Sequence, residues 1–202
     1  MEYLESTGTQ YIDTRIVCDD VSNYDMQISF VLQRVIVGNS GQDILGARKD
    51  TGNRSFILFV PNNMQGLFLN LAGYSSLNTP LVLSENIIKT GDLFNITAEI
   101  NQLNNTATVV FNDVLLYENV SWVGDLYCGY SLYLFAVHGD SGIRDPVAAK
   151  IYKYRMFKND VLVLDFIPVL DSYGVPCMYD RVTDSFFYNQ GTGQFIPGPV
   201  KQ

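Results

Sequence analysis

The sequence predicts an all-β protein folded as a two-sheet antiparallel β-sandwich, and three observations carry that prediction. Residues that fit a pleated, half-buried surface are plentiful, with 13 Tyr and 12 Phe among 202 residues. Short runs with period-two alternation recur along the chain, separated by turn-forming Asn, Asp, Gly and Pro. No stretch of ten or more residues holds apolar positions at helical spacing behind a capping signal; Leu83 to Lys89 offers one short helical turn. With 47% hydrophobic against 17% charged residues, the chain can offset its ordering entropy with a sizeable core. The length fits one sandwich domain over residues 1–202.

Taken in order, Asp25 to Gln33 sets Met26, Ile28, Phe30 and Leu32 on one face of a strand. Ser55 to Val60 and Gly66 to Leu71 read as consecutive antiparallel strands around the turn Pro61-Asn62-Asn63. Phe94, Ile96, Ala98 and Ile100 then alternate with Asn95, Thr97, Glu99 and Asn101. The Gln102 to Asn105 turn leads into Thr106 to Phe111, and Asn112-Asp113 joins that strand to Val114–Tyr117 as a tight hairpin. Beyond Trp122, the apolar run Tyr130 to Val137 ends at His138-Gly139-Asp140-Ser141-Gly142, a loop by composition. Lys150 to Phe157 puts Lys153 and Arg155 on one face and Tyr152, Tyr154 and Met156 on the other. Lys158-Asn159-Asp160 turns the chain into Val161 to Ile167, which Pro168 is expected to close because it has no N–H for a ladder. Ten to fourteen short strands follow from this count, the pattern of a sandwich.

A formal charge of -8 repels phosphate backbones and anionic membranes at long range, which argues against nucleic-acid or membrane partners. Cys18, Cys128 and Cys177 are widely spaced without a CxxC pair and read as buried thiols; one disulfide stays open, with nothing in the spacing to choose a pair. The start, Met1 to Ser6, has neither a basic nor an apolar leader region.

The two ends carry a recognisable pattern. Residues 2–14 read Glu-Tyr-Leu-Glu-Ser-Thr-Gly-Thr-Gln-Tyr-Ile-Asp-Thr. Later come Ala149-Lys150-Ile151-Tyr152, Phe157-Lys158-Asn159, Leu164-Asp165-Phe166-Ile167-Pro168, Gly174 to Asp180 and Phe186 to Phe195. With Ile44 to Arg48 and Leu132 to Ala136 between them, the chain resembles, over nearly its whole length, the concanavalin A-like lectin/glucanase (laminin G-like) sandwiches found in phage structural proteins and in surface proteins of gut bacteria. The resemblance implies a jelly roll whose first and last strands pair, with Tyr179-Asp180 and Phe186 to Asn189 forming a final hairpin over one end of the core. Such sandwiches bind glycans, bind proteins or serve as structural plates.

Catalysis is not expected. The glucanase Glu-x-Asp-x-x-Glu strand is absent, since Glu99 precedes Ile100-Asn101 and Glu118 precedes Asn119-Val120. Gly139-Asp140-Ser141-Gly142 is similar to a serine-protease nucleophile segment, but the single histidine, His138, sits on the same loop, poorly placed to act as a base toward Ser141. Loop carboxylates Asp19, Asp20, Asp140, Asp145 and Asp171 suit a hard cation such as calcium, yet no Asp-x-Asp-x-Asp-Gly loop is present and no cofactor is expected. Glycan binding needs an aromatic surface beside amide or carboxylate groups. The candidates are Trp122, Tyr74, Tyr127 and Tyr130, with Asn78, Asp125 and His138 as polar partners.

From the resemblance and the leaderless start, the expected role is a non-catalytic bacteriophage virion protein, a capsid decoration or a head or tail fibre component, assembled in the host cytoplasm. Its expected partners are other virion proteins and cell-surface glycans, with the chain present as a homo-oligomer or in many copies. The alternative is a carbohydrate-binding module of a gut-bacterial surface protein at the cell surface, and a glycoside hydrolase is the outlier.

Overall fold

A computed structural model describes residues 1–34, 41–49, 54–61, 65–72 and 80–200. In chain order the strands are β1 (Leu4–Glu5), β2 (Ile12–Val17), β3 (Tyr24–Arg34), β4 (Gly41–Arg48), β5 (Ser55–Pro61), β6 (Gln65–Leu71), β7 (Leu81–Ile87), β8 (Leu93–Asn101) and β9 (Thr106–Phe111). There follow β10 (Val114–Ser121), β11 (Ser131–Leu134), β12 (Val137–Gly139), β13 (Gly142–Arg144), β14 (Ala148–Lys158), β15 (Val161–Leu170), β16 (Pro176–Asp180), β17 (Ser185–Phe187) and β18 (Ile196–Pro197). The described residues contain no helix.

One sheet runs β10-β9-β8-β3-β14-β15-β16-β17, with β1 between β14 and β18. The other runs β2-β11-β4-β5-β6-β7, with the β12-β13 hairpin also held to β4. Among the described residues pairing is antiparallel apart from the parallel contact His138↔Ala47 and the isolated bridge Arg54↔Asp125. Period-two alternation explains the layering: Met26, Ile28 and Phe30 of β3, Ile96, Ala98 and Ile100 of β8, and Phe56, Leu58 and Val60 of β5 enter one shared core. That core extends from Leu4 to Phe195. This is the two-sheet jelly roll that the sequence predicts.

The terminal strands pair as expected, Leu4 with Pro197 and Glu5 with Ile196. The final hairpin also forms, with Met178 opposite Phe187 and Tyr179 opposite Phe186. All three cysteines are buried free thiols.

Four local expectations need correction. Leu83 to Lys89 holds no helical turn, because Leu81–Ile87 is a strand laid on β6 with Leu83 in the core. His138 to Gly142 is a two-residue hairpin rather than an open loop, with His138 opposite Ile143. Pro168 does not end its strand: β15 continues to Leu170, and beyond Phe166 its ladder is with β16 alone, a one-sided pairing that tolerates a residue without an N–H. Tyr152 leaves the inner face because a register shift between Ile151 and Lys153 breaks the alternation. Its ring packs edge-on against Tyr3, whose face carries the Lys150 ammonium 4.3 Å from the ring centre. Among the described residues the strands number eighteen rather than ten to fourteen, since two- and three-residue strands carry too few residues to show alternation.

Candidate functional site

The end motifs interlock, and in doing so they place one end of an aromatic row. Thr192 N–H donates to the Thr9 carbonyl (3.1 Å), Gln190 N–H to the Tyr11 carbonyl (2.9 Å), and Gln10 Nε2 to the Thr192 carbonyl (3.0 Å). Asn189 Oδ1 accepts from the N–H of Tyr11 (3.2 Å) and of Gly191 (2.8 Å). Gln10 and Ser6 are buried, and the Ser6 hydroxyl donates to the Gln10 carbonyl (3.2 Å), so the polar residues of the opening motif satisfy one another. Inward Ile12 then fixes Tyr11 and Asp13 on the outer side of the second sheet.

From Tyr11 a column of rings crosses that side. Tyr11 stacks on Tyr133 (centroids 4.7 Å apart, 29° between planes), Tyr133 on His138 (4.2 Å, 14°), and His138 contacts Tyr130 (4.8 Å, 39°). All four are half-buried. Tyr133 faces outward because Leu132 and Leu134, its neighbours in β11, are in the core. Gly46 lets the chain fold over this face: a β-carbon there would meet the Phe56 carbonyl oxygen at 2.5 Å and Val137 Cγ2 at 3.0 Å.

The column offers its edges, since the faces of its inner rings are occupied by stacking. His138 Nδ1 lies 3.2 Å from the Ser131 carbonyl oxygen and 3.4 Å from the Ser131 hydroxyl oxygen, so the Nδ1 side of the ring is held against Ser131. Burial, reinforced by Asp13 and Tyr11, pushes the Tyr133 phenol up to about 12, so it remains a protonated donor at neutral pH. The next rung sets Asp43, Phe59 and Phe68 side by side across β4, β5 and β6, with the two phenyl rings stacked at 5.4 Å. Asp43 is 5% exposed, and burial, with the Asp145 charge behind it, holds its carboxyl well above the ordinary range. Beside this rung, Asn70 is 1% exposed, and neither amide atom finds a partner among the described residues.

Of the residues nominated from sequence, Tyr130 and His138 meet in this column. Trp122 does not offer a stacking face: it is 6% exposed and part of the core, one residue past β10, where its N–H donates to the Asn105 carbonyl and extends the ladder with β9. Tyr127 is 43% exposed and its N–H donates to Asp20 Oδ1 (3.0 Å). Asp125 pairs with Arg54 at 3.5 Å, both side chains well exposed, a pair worth little. Tyr74 and Asn78 lie outside the described residues. Sequence reasoning missed Tyr11 and Tyr133, although the alternation Ser131-Leu132-Tyr133-Leu134 marks Tyr133 as the outward member. Ser141 is engaged by Arg144 Nε and Nη2 (3.2 and 3.1 Å), while the His138 ring turns to Ser131, so the two form no nucleophile and base pair. Among the described residues no cluster of His, Cys, Asp or Glu is arranged to hold a metal ion.

The first sheet carries a contrasting feature on its outer side, a groove of about 310 Å³ lined by Asp25, Glu99 and Asp160 with amides and hydroxyls. Asp25 and Glu99 stand directly opposite one another across β3 and β8. Burial first, then the charges of Glu99 and Asp160, raises the Asp25 carboxyl.

The sequence matches no family model and no curated protein. Solved structures resemble it in fold. The CBM40 module of the Ruminococcus gnavus IT-sialidase is 14% identical over 80% of this chain and 92% of that one, with a TM-score of 0.58. A candidate carbohydrate-binding protein of Bacteroides ovatus is 12% identical, with a TM-score of 0.61, over 96% of this chain and 59% of that one. A leech intramolecular trans-sialidase aligns at 14% identity and a TM-score of 0.51, over 78% of this chain and 26% of its own. The fold is therefore that of the concanavalin A-like lectin and glucanase sandwiches.

Proposed function

We propose that this sandwich is a non-catalytic carbohydrate-binding module that recognises glycans on the outer side of its second sheet. The observation that carries the reading is the column Tyr11–Tyr133–His138–Tyr130, which is held rigid by stacking and by the clasp of the chain ends. Sugars are read by fixed hydrogen-bonding groups beside apolar surface, and groups locked before binding lose little entropy when the ligand arrives. The column supplies phenol hydroxyls and an imidazole edge, and Phe59 and Phe68 add apolar surface on the neighbouring rung. The Ruminococcus gnavus module has been seen with α2,3- and α2,6-sialyllactose, which makes sialylated glycans the first to try here.

Both bacterial neighbours support the module of a bacterial surface protein over the virion role that the resemblance led us to expect. The test is a glycan array followed by calorimetry. Wild type is expected to retain a defined glycan, while Tyr130→Ala and His138→Ala lose at least tenfold in affinity. An array without signal at high protein concentration sinks the reading.

A second reading, glycoside hydrolase, is favoured by one observation, the Asp25–Glu99 pair. Retaining hydrolysis uses one raised carboxyl and one ionised partner about 5 Å apart, and directly opposed strand residues approach that separation. Among the described residues no aromatic side chain lines this groove to seat a sugar ring, which favours binding over catalysis. Sugar release from a polysaccharide panel, abolished by Glu99→Gln, would reverse that order.

A further inference from the structure

We infer that the module is bivalent, with a second saccharide site in the cleft where the two sheets part beside β7. The cleft measures about 540 Å³, within the range of small-molecule sites, and is lined by Phe94, Phe111, Ser84, Lys89, Asp92 and Asn112. A run of rings leads to it from the core: Phe30 to Phe94 at 5.4 Å, then Phe94 to Phe111 at 5.9 Å with 15° between planes. Phe94 is 6% exposed, whereas Phe111 is only half-buried, so Phe111 ends the series as an accessible ring at the cleft.

The rim is polar and available. Lys89 and Asp92 are exposed, and neither forms an ion pair among the described residues. Asn112 Oδ1 accepts the Asn95 N–H (2.9 Å), and the Asn112 N–H donates to the Asn95 carbonyl (2.9 Å), so this side chain is held in place. Tyr117 fixes the neighbouring edge by accepting the Val82 N–H and donating to the Val82 carbonyl (both 3.0 Å), which ties β10 to β7. The cleft thus pairs one aromatic surface with a carboxylate that accepts from two vicinal hydroxyls, an ammonium that donates to a third, and an amide. That is the chemistry of a sugar residue with one apolar C–H face.

The site is separate from the ring column. The column stands at the β2-β11 edge of the second sheet and the cleft at its β7 edge, four to five strand spacings away, or roughly 19–24 Å at ~4.8 Å each. A polysaccharide able to span that distance gains avidity from both sites, whereas a short oligosaccharide occupies each independently.

This inference rests on the carbohydrate-binding reading, and the test separates the two. Isotope-labelled protein is titrated with α2,3-sialyllactose, galactose and N-acetylglucosamine, and backbone amide shifts are followed. At least one sugar is expected to move the amides of Lys89, Asp92 and Phe111 as a set that saturates separately from Tyr133 and His138. Lys89→Ala with Asp92→Asn, both exposed changes, is expected to weaken the first set at least tenfold and leave the second unaltered. Movement of the Tyr133 and His138 set alone, or a cleft response indifferent to the double substitution, overturns the second site and spares the first. No response at either set with any sugar overturns both.

Discussion

A β-carbon placed on Gly191 would overlap the carbonyl oxygen of Thr9, and no side chain is tolerated where the closing turn crosses the opening motif. The Thr9 carbonyl is also the acceptor for the Thr192 N–H, so the obstruction lies on a hydrogen bond of the clasp. Gly191→Ala is therefore expected to cost about 1–3 kcal/mol, the usual range for overpacking, by forcing the two segments apart. Denaturant titration reads the loss. Because Tyr11 is held by the same clasp, the variant also lowers affinity for any glycan bound at the ring column.

Trp122 and His138, both nominated as ligand contacts, separate in their effects. Trp122→Ala removes a large core side chain and is expected to cost about 3–5 kcal/mol of stability. Its Nε1 has no partner among the described residues, so Trp122→Phe, which discards that buried donor, costs much less. His138→Ala leaves the melting temperature within a few degrees and acts on binding. A Trp122→Ala protein that melts like wild type would contradict the burial of this ring.

The contrast between these two residues shows what could be read from the sequence. Alternation located the inward residues of β3 and β8 because a sheet with one buried face imposes period two on its strands. The same rule would have set Tyr133 outward, but Tyr130 to Val137 reads in sequence only as an apolar run. Alternation failed at Tyr152, where a bulge shifts the phase, and it does not reach Trp122, a ring past a strand end whose fate depends on the path of the following segment. The column itself joins residues 11, 130, 133 and 138 through a pairing of β2 with β11, a long-range contact that local pattern does not encode.

Asp165 is the shared anchor of two arginines. Its Oδ1 accepts from Arg155 Nε (2.9 Å), and its Oδ2 accepts from Arg181 Nε (2.9 Å) and Nη2 (2.6 Å), while its own N–H donates to Asp180 Oδ1 (2.8 Å). The carboxylate side chain is 7% exposed, and the arginines 36% and 46%. Removing the buried partner strands the guanidinium groups only in part, because water reaches them. Asp165→Ala is expected to cost about 2–3 kcal/mol, below the full penalty for a wholly buried pair. Arg155→Ala alone should cost less than half of that, since Arg181 still satisfies the carboxylate; urea titration of both variants checks the ratio.

Asp43 gives the stability a pH signature. Burial is the larger cause of its raised carboxyl and the Asp145 charge the second, while Arg48 acts weakly the other way. With the folded value above the unfolded one, the folded state binds the proton more tightly, so the contribution of this group is complete below about pH 3.9 and is lost as pH rises through the folded value. At neutral pH the wild type carries the cost of a desolvated carboxyl. An amide has the shape of the protonated acid without its charge, and Asp43→Asn is expected to stabilise by about 1–3 kcal/mol at pH 7. Thermal melts of both proteins between pH 3.5 and pH 8 provide the check: the gap should open with rising pH and close near pH 3.5. A gap that is constant across the range would mean that the Asp43 carboxyl titrates alike in the folded and unfolded chains, and the desolvation assigned to the outer rung of the second sheet would be wrong.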